Sequence, residues 1–390
     1  MKIRCCAHYV LAPSRRVVLD LASLVDGQVC WRAESGWEVL AAHLDKPQPV
    51  TVEQMALLGR VDSAQWQDAS DFADQTDVLQ GLIDCGLLLA QPIQQPAASH
   101  ADEQVRQGHW YGLSAVYARH GRWHGGDVVE AMDTPGLANA RTRRRLLGPA
   151  PASTRDAGVL TQSIGLPTGT ATALGNLLQR RVTCRNFADG QVLSLEALGA
   201  VLGLTFAAQG QARVEQDMDF LKRSSPSAGG LHALETYLLV QQVEGLVPGW
   251  YHYRPLDHAI VPLADPQGAG PGQALSLLAG QHWFASAPVL VVLAARYQRA
   301  FWKYRAHAKA WRALLLEAGH FSQTLYLAAT ERQLGAFVTC AINEPVAEAA
   351  LQVDPLETGI LAVCGLGHRG EDMKVAELDP AGAIWQPAGA

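Results

Sequence analysis

The sequence predicts an α+β fold in two parts: a small N-terminal unit and a larger C-terminal one. Three observations point there. Strand-like apolar runs and helix-periodic runs are mixed along all 390 residues, at a length that suggests one small and one large domain. No ~30-residue strand–helix–strand unit carrying GxGxxG occurs, which argues against a dinucleotide-binding Rossmann domain. The character of the chain also changes near residue 166, after a Pro- and Gln-rich stretch and a polar connection.

Residues 1–95 read as a winged-helix-like unit. Short β-type runs fill residues 5–33. "SGWEVLAAHL" is expected to be a helix, because Ser35 and Glu38 have capping-box spacing. "TVEQMALLGR" repeats the device with Thr51 and Gln54. "DVLQGLIDCGLLLA" carries Val78, Leu79, Leu82 and Ile83 on one helical face, is closed by Gly86 and runs into an apolar strand. Residues 92–105 look like a linker, and 96–165 form a linker and helical connection.

Residues 166–390 form the larger unit. "TATALGNLLQRRV" and "SLEALGAVLGLTFAAQG" read as helices. Strongly apolar strands are expected at 234–243, 288–297, 335–342 and 359–367. The helix from about 311 to 333 is apolar around much of its circumference, which implies burial on several sides.

Composition narrows the function classes. Hydrophobic residues make up 48% and charged residues 17%, as in a globular protein with a large core. The net charge of −6 implies neither a nucleic-acid footprint nor a polybasic membrane patch. No run of 18 apolar residues occurs, and the N-terminus reads as a strand and not as a signal peptide. Seven cysteines without CxxC spacing suit a reduced, cytoplasmic protein with no metal site. His109, His120 and His124 lack ligand spacing and are expected to be satisfied or exposed.

Three segments carry candidate chemistry. "QRRVTCRNF" (179–187) sets Arg180, Arg181 and Arg185 around Thr183. Guanidinium forks and a hydroxyl suit an anionic cofactor; the alternative is a basic surface turn. "RSSPSAGGLHALETY" (223–237) places Ser224, Pro226, Ser227, Ala228, Gly229 and Gly230 before a strand. Glycines let the backbone approach a flat ligand closely, and the alternative is a plain turn. "GLGHRG" (365–370) puts Arg369 at a glycine-rich strand end, where it would reach a phosphate.

Together these segments resemble the FMN-dependent nitroreductase superfamily, in its SagB-type peptide-maturation branch. The resemblance covers residues 166–370. The RR-x-[ST]-x-R-x-F pattern is met by Arg180 or Arg181, Thr183, Arg185 and Phe187. "PSAGGL" (226–231) is met literally, and "LLEAGHFSQTLYLAA" (315–329) is similar to the family's central helix.

The resemblance implies a nitroreductase-like fold, with a mainly antiparallel sheet flanked by helices, assembled as a homodimer around FMN. It implies that Arg181, Thr183 and Arg185 hold the phosphate or ribityl chain, with Arg369 near the phosphate. The 224–230 segment would lie along the flavin ring, and Gln323 would be a further contact.

The branch oxidises thiazoline or oxazoline rings of precursor peptides to thiazoles or oxazoles, in association with other maturation enzymes. Its Lys-Tyr pair is matched by Lys303 and Tyr304 within "AFWKYRAHAKAW" (300–311). A phenol titrates near ~10 and is a weak base at neutral pH, whereas a nearby ammonium favours phenolate. The alternative is an exposed Lys303 beside a core Tyr304. Here the pair sits about two residues farther from "EAGH" than in the family, and Lys309-Ala310-Trp311-Arg312 replaces the family's R-x-Y-R.

The N-terminal unit resembles leader-peptide recognition domains. There an extended leader adds a strand to a sheet edge. A strand edge within residues 3–33 and the helix at 77–88 would form the groove. A purely structural role in dimerisation is the alternative.

Overall fold

The computed structural model describes residues 1–20, 23, 28–154, 164–167, 169, 172–264 and 271–385. The chain divides into two compact units. The first comprises Met1–Arg122, Ala295–Leu314 and Val353–Gly359, and the second comprises Trp123–Ala294, Leu315–Gln352 and Ile360–Ala390.

The first unit holds two small antiparallel sheets. In one, β1 (Lys2–Cys5) lies between β5 (Gln67–Asp68) and β6 (Leu88–Gln91). In the other, β3 (Trp31–Ala41) lies between β2 (Tyr9–Leu19) and β4 (Gln48–Val50). Helices Val52–Leu58 and Thr76–Asp84 close over the first sheet, with Ile3, Leu57, Leu82, Ile83 and Leu88 in their shared core. Thr51 caps as its spacing predicts: its Oγ1 accepts the Gln54 N–H at 3.2 Å, and Gln54 Oε1 accepts the Thr51 N–H at 2.9 Å. Gly86 follows the second helix at φ 77°, the left-handed turn that glycine adopts without steric cost.

Two expectations need correction here. "SGWEVLAAHL" is not a helix: residues 35–41 are the second half of β3, which is registered residue for residue against β2 from Tyr9↔Ala41 to Leu19↔Trp31. Ser–x–x–Glu spacing is a weak helix signal, and the long hairpin ladder overrides it. The stretch read as a linker contains the helix Pro96–Gln107. Its Asp102 is fully buried and accepts the Ala7 N–H (2.6 Å) and Arg106 Nε (2.6 Å). That network anchors a segment whose polar composition reads as solvent-facing.

The second unit is built on a six-stranded sheet. Its order is β11 (Ala259–Pro262), β10 (Gly249–Arg254), β9 (Leu234–Val240), β12 (Val289–Arg296), β14 (Thr358–Gly367), β13 (Gly335–Thr339). The ladders β9–β10, β10–β11 and β13–β14 are antiparallel. The four apolar runs singled out in the sequence are four of its strands. The edge pair β10 and β11, and the exposed hairpin β7 (Gly210–Glu215) with β8 (Met218–Lys222), carry too many polar residues to stand out.

Helix Leu195–Phe206, capped by Ser194, buries Leu198, Val201, Leu202 and Phe206. The helix expected over 170–182 is Ala173–Arg180; Thr170 and Ala171 lie outside the described residues. Helix Ala310–Glu331 is 22 residues long. Phe321, Leu325 and Ala329 are fully buried, but Leu315 and Leu316 are 46% and 63% exposed, so the helix keeps one open face.

Close packing across the sheet demands glycine at Gly335. A Cβ there would lie 2.5 Å from Cys184 Sγ and 2.6 Å from Cys184 Cβ. All seven cysteines are free. Among the described residues, no helix is long and apolar enough to cross a membrane, and no three potential metal-ligating side chains cluster.

Candidate active site

The segment 181–187 runs beside β13 with isolated bridges and no strand of its own. Thr183 bridges Ala336, and the Cys184 N–H donates to the Ala336 carbonyl at 2.8 Å. Val182, Cys184, Asn186 and Phe187 are buried, whereas Arg181, Thr183 and Arg185 are half-buried. Burial pushes the Cys184 thiol up to about 12, so it packs as a neutral group.

Among the described residues, neither the Arg181 nor the Arg185 guanidinium has a hydrogen-bond partner within the chain. Arg181 lies 5.3 Å from the Tyr326 ring centroid and Arg185 5.9 Å from that of Phe284. Thr183 Oγ1 is 3.0 Å from the Tyr326 hydroxyl, which also accepts the Val338 N–H at 3.1 Å. Burial pushes the Tyr326 phenol up, so it stays a neutral anchor. Arg180 is exposed at its helix end, apart from this row.

The 223–231 loop is laced to one face of the long helix. Ser227 Oγ donates to Glu317 Oε2 at 2.5 Å, and the Leu234 N–H donates to Glu317 Oε1 at 3.2 Å. Ser225 Oγ lies 2.8 Å from Thr324 Oγ1, and His320 Nδ1 lies 3.1 Å from the Pro226 carbonyl. Positions 317, 320 and 324 recur at helical spacing and share that face. Ser224 Oγ donates to the Thr205 carbonyl at 3.0 Å. These serine hydroxyls all bond within the fold, and Ser224, Pro226 and Gly229 are the exposed residues of the loop. Gly229 and Gly230 hold φ of 61° and 69°. Glu317 is only 3% exposed, and burial raises its carboxyl above the ordinary glutamate value, against the hydrogen bonds from Ser227 and Leu234.

One helix thus fixes both motifs. Tyr326 receives the arginine row, and Glu317, nine residues earlier, receives the glycine loop. At 1.5 Å per residue the two anchors are about 13 Å apart along the axis. Two uncommitted guanidiniums at one end and a positive-φ glycine pair at the other fit an elongated ligand with an anionic head and a flat body. FMN has both, so the residues present fit the cofactor that the sequence implies.

Arg369 is tied down: its Nη1 donates to Glu377 at 2.6 Å and its Nη2 to the Val182 carbonyl at 2.5 Å. Arg185 and Arg369 line a cavity of about 700 Å³ together with His282, Trp283 and Lys374, a volume within the small-molecule range. The 224–230 loop does not line it. Gln323 is on the exposed face of the long helix, beside Thr324.

Lys303 and Tyr304 belong to the first unit. They occupy turns between the helices Tyr297–Phe301 and Ala310–Glu331, so the 100° separation of helical neighbours does not constrain them. Lys303 is exposed, with Nζ 5.7 Å from the ring centroid of the half-buried Tyr304. The surrounding rings divide by role. Phe301 and Trp311 pack with Trp110 and Tyr297 at centroid distances of 4.4–6.1 Å, as core. Tyr304 stands apart from that cluster, 6.4 Å from the His307 ring. His120 bonds the Ala41 carbonyl at 2.9 Å, and His109 and His124 are exposed.

Sequence reasoning missed Glu317, Tyr326 and Glu377. For Glu317 a signal existed: it is the one acidic residue within an apolar stretch of the long helix. Tyr326 reads as core, and Glu377 lies beyond the last recognisable motif.

The Nitroreductase family profile matches residues 178–368. "Putative nitroreductase MJ1384" of Methanocaldococcus jannaschii is 34% identical over 176 residues, 45% of this chain and 82% of that protein. "Trifolitoxin-processing protein TfxB" of Rhizobium leguminosarum bv. trifolii is 25% identical over 186 residues, 46% of this chain and 48% of that protein. This chain thus spans about half the length of that second relative. Among solved structures, the E. coli microcin synthetase McbBCD complex with truncated pro-MccB17 bound aligns with 21% identity and a TM-score of 0.49, covering 69% of this chain and 94% of that one. The arginine row, the glycine loop and the helix that holds both all lie within the matched span, and the chain belongs to the nitroreductase family.

Proposed function

We propose that this protein is an FMN-dependent oxidoreductase of ribosomal-peptide maturation that oxidises thiazoline or oxazoline rings to thiazoles or oxazoles. The observation that carries the reading is the pairing of the Arg181–Thr183–Arg185 row with the glycine loop on one helix, through Tyr326 and Glu317. The name of the trifolitoxin-processing relative supports a peptide as the substrate.

Each residue group has a task. Arg181, Thr183 and Arg185 would hold the phosphate, and the backbone of Ala228–Gly230 would seat the ring system. When bound, FMN supplies the two-electron acceptor that oxidation of an azoline requires. Tyr304 would remove the α-carbon proton of the ring, with Lys303 as its electrostatic partner. Glu317, which accepts hydrogen bonds from Ser227 Oγ and the Leu234 N–H, keeps the glycine loop in place.

The open face of the long helix, with Leu315 and Leu316 exposed, supports a homodimer built on that helix. For the first unit we propose leader recognition by strand addition to an edge strand of its second sheet, β2 or β4. The helix packed on β2 and β3 is Gly112–His120, whereas Thr76–Asp84 packs on β6 and Val52–Leu58. A leader groove at β2 would therefore use the former helix.

The test is direct. The purified protein is denatured and released flavin is identified by mass; about one FMN per chain is expected. An azoline-bearing precursor peptide is then assayed with wild type, Tyr304→Phe and Lys303→Ala. Oxidation by both variants at the wild-type rate would refute the assigned roles.

A second reading, reduction of nitro or quinone substrates with NAD(P)H, draws on the Methanocaldococcus relative. Rapid flavin reduction by NAD(P)H without peptide would favour it. A third, a non-catalytic leader-binding partner, draws on the departure after Lys303. Tight leader binding without flavin would favour that one.

A further inference from the structure

The segment after Gly370 carries no motif, yet it closes on the arginine row. Val375 and Asn186 bond reciprocally: the Val375 N–H donates to Asn186 Oδ1, and Asn186 Nδ2 donates to the Val375 carbonyl, both at 2.7 Å. Two residues on, the Glu377 side chain is fully buried. Its Oε1 accepts the Arg185 N–H (2.5 Å), the Asn186 N–H (3.0 Å) and Asn186 Nδ2 (2.9 Å). Its Oε2 accepts Arg369 Nη1 (2.6 Å) and Trp385 Nε1 (2.7 Å). Asp379 brings Trp385 back to this point by accepting the N–H groups of Ala383, Ile384 and Trp385.

Five donors saturate a carboxylate, so Glu377 has no capacity left for a ligand. Burial opposes its ionisation, but bonds from Arg185, Trp385 and Asn186, with the Arg369 charge, outweigh burial and hold it below the ordinary glutamate value. The ion pair also settles the charge of Arg369. Net positive charge for an anionic ligand therefore falls to Arg181 and Arg185.

We propose that Glu377 is a positioning residue for the cofactor phosphate: it clamps the backbone at Arg185 and Asn186, and through Arg369 at Val182, so that Arg181, Thr183 and Arg185 face the phosphate as one rigid row. The inference rests on the FMN reading above. It makes the segment 371–385 part of the cofactor site. Two successive amides held by one carboxylate fix the peptide planes on either side of Arg185, and the direction of its side chain follows from those planes.

The experiment titrates flavin-free full-length protein with FMN and, separately, with riboflavin, which lacks the phosphate, following quenching of flavin fluorescence. Wild type, Glu377→Ala, Glu377→Gln and Arg185→Ala are compared. Glu377→Ala is expected to weaken FMN roughly tenfold or more, the loss of one well-aligned charged contact, while riboflavin affinity changes by less than about twofold. Arg185→Ala should show the same selective loss, and Glu377→Gln, whose amide oxygen still accepts a backbone N–H, an intermediate one. Equal losses for FMN and riboflavin, or no loss of FMN by either Glu377 variant, would overturn the proposal. If Glu377→Ala lacks the wild-type circular dichroism spectrum, the same ratio is read from Glu377→Gln. Failure of wild type to bind either flavin would instead refute the cofactor reading, and this inference with it.

Discussion

Replacing Glu317 by alanine removes the side chain that ties Ser227 of the glycine loop and Leu234, at the start of β9, to the long helix. Ser227 Oγ and the Leu234 N–H would lose their acceptor in a site where Glu317 itself is only 3% exposed. Each unsatisfied buried donor costs about 1–3 kcal/mol, so the loss is about 2–6 kcal/mol. Glu317→Gln keeps the shape and one acceptor oxygen and should cost about 1–2 kcal/mol.

The two variants also differ from wild type in pH dependence. Burial raises the Glu317 carboxyl above its ordinary value of 4.5, so the folded chain keeps this proton to higher pH than the unfolded chain. Between those two values the folded state binds more protons, and stability falls as pH rises. The contribution is fully present below 4.5 and is lost by the time pH passes the raised folded value. Glu317→Gln abolishes this slope, so its deficit relative to wild type narrows from pH 4.5 towards neutrality. Urea unfolding followed by tryptophan fluorescence at several pH values measures both effects. Hydrogen exchange of residues 224–234 should show protection lost in Glu317→Ala. A change below about 0.5 kcal/mol in Glu317→Ala, with that protection intact, would refute the anchoring role.

Other outcomes follow from the same geometry. Gly335→Ala forces a Cβ to 2.5 Å from Cys184 Sγ and should cost about 1–3 kcal/mol by overpacking, seen as a lower urea midpoint. Under native conditions iodoacetamide should label the exposed Cys30 ahead of the buried Cys5, Cys6, Cys184 and Cys364, as peptide mass mapping would show. His8, His43 and His120 are each lowered by burial below 6.5, so the unfolded chain binds more protons just below that pH. The first unit should therefore lose stability as pH falls through about 6.5, and His43→Gln should weaken that loss in acid-unfolding curves. Trp110→Ala, at the centre of the ring cluster with Tyr297, Phe301 and Trp311, should cost about 3–5 kcal/mol by thermal unfolding.

By itself the sequence determined the parts whose evidence is local or literal. The four apolar strands of the large sheet could be read because a buried strand needs an unbroken apolar run. Thr51–Gln54 could be read as a cap because the bond spans three residues. PSAGGL and LLEAGH identified the family because they are spelled out in the chain. The failures were also local. Ser35 and Glu38 imitate a cap inside β3, and only pairing with β2, which is non-local, decides for strand. The helix Pro96–Gln107 looks like linker until Asp102 finds Arg106 and the backbone of Ala7. The site's scaffold was decided by tertiary structure alone. Glu317 and Ser227 are 90 residues apart, and Glu377 and Arg185 are 192 apart. Such bonds form only once the sheet and the long helix have brought distant segments together, because no spacing rule reaches across loops of that length. The sequence shows that a carboxylate exists; folding decides which donors it must satisfy.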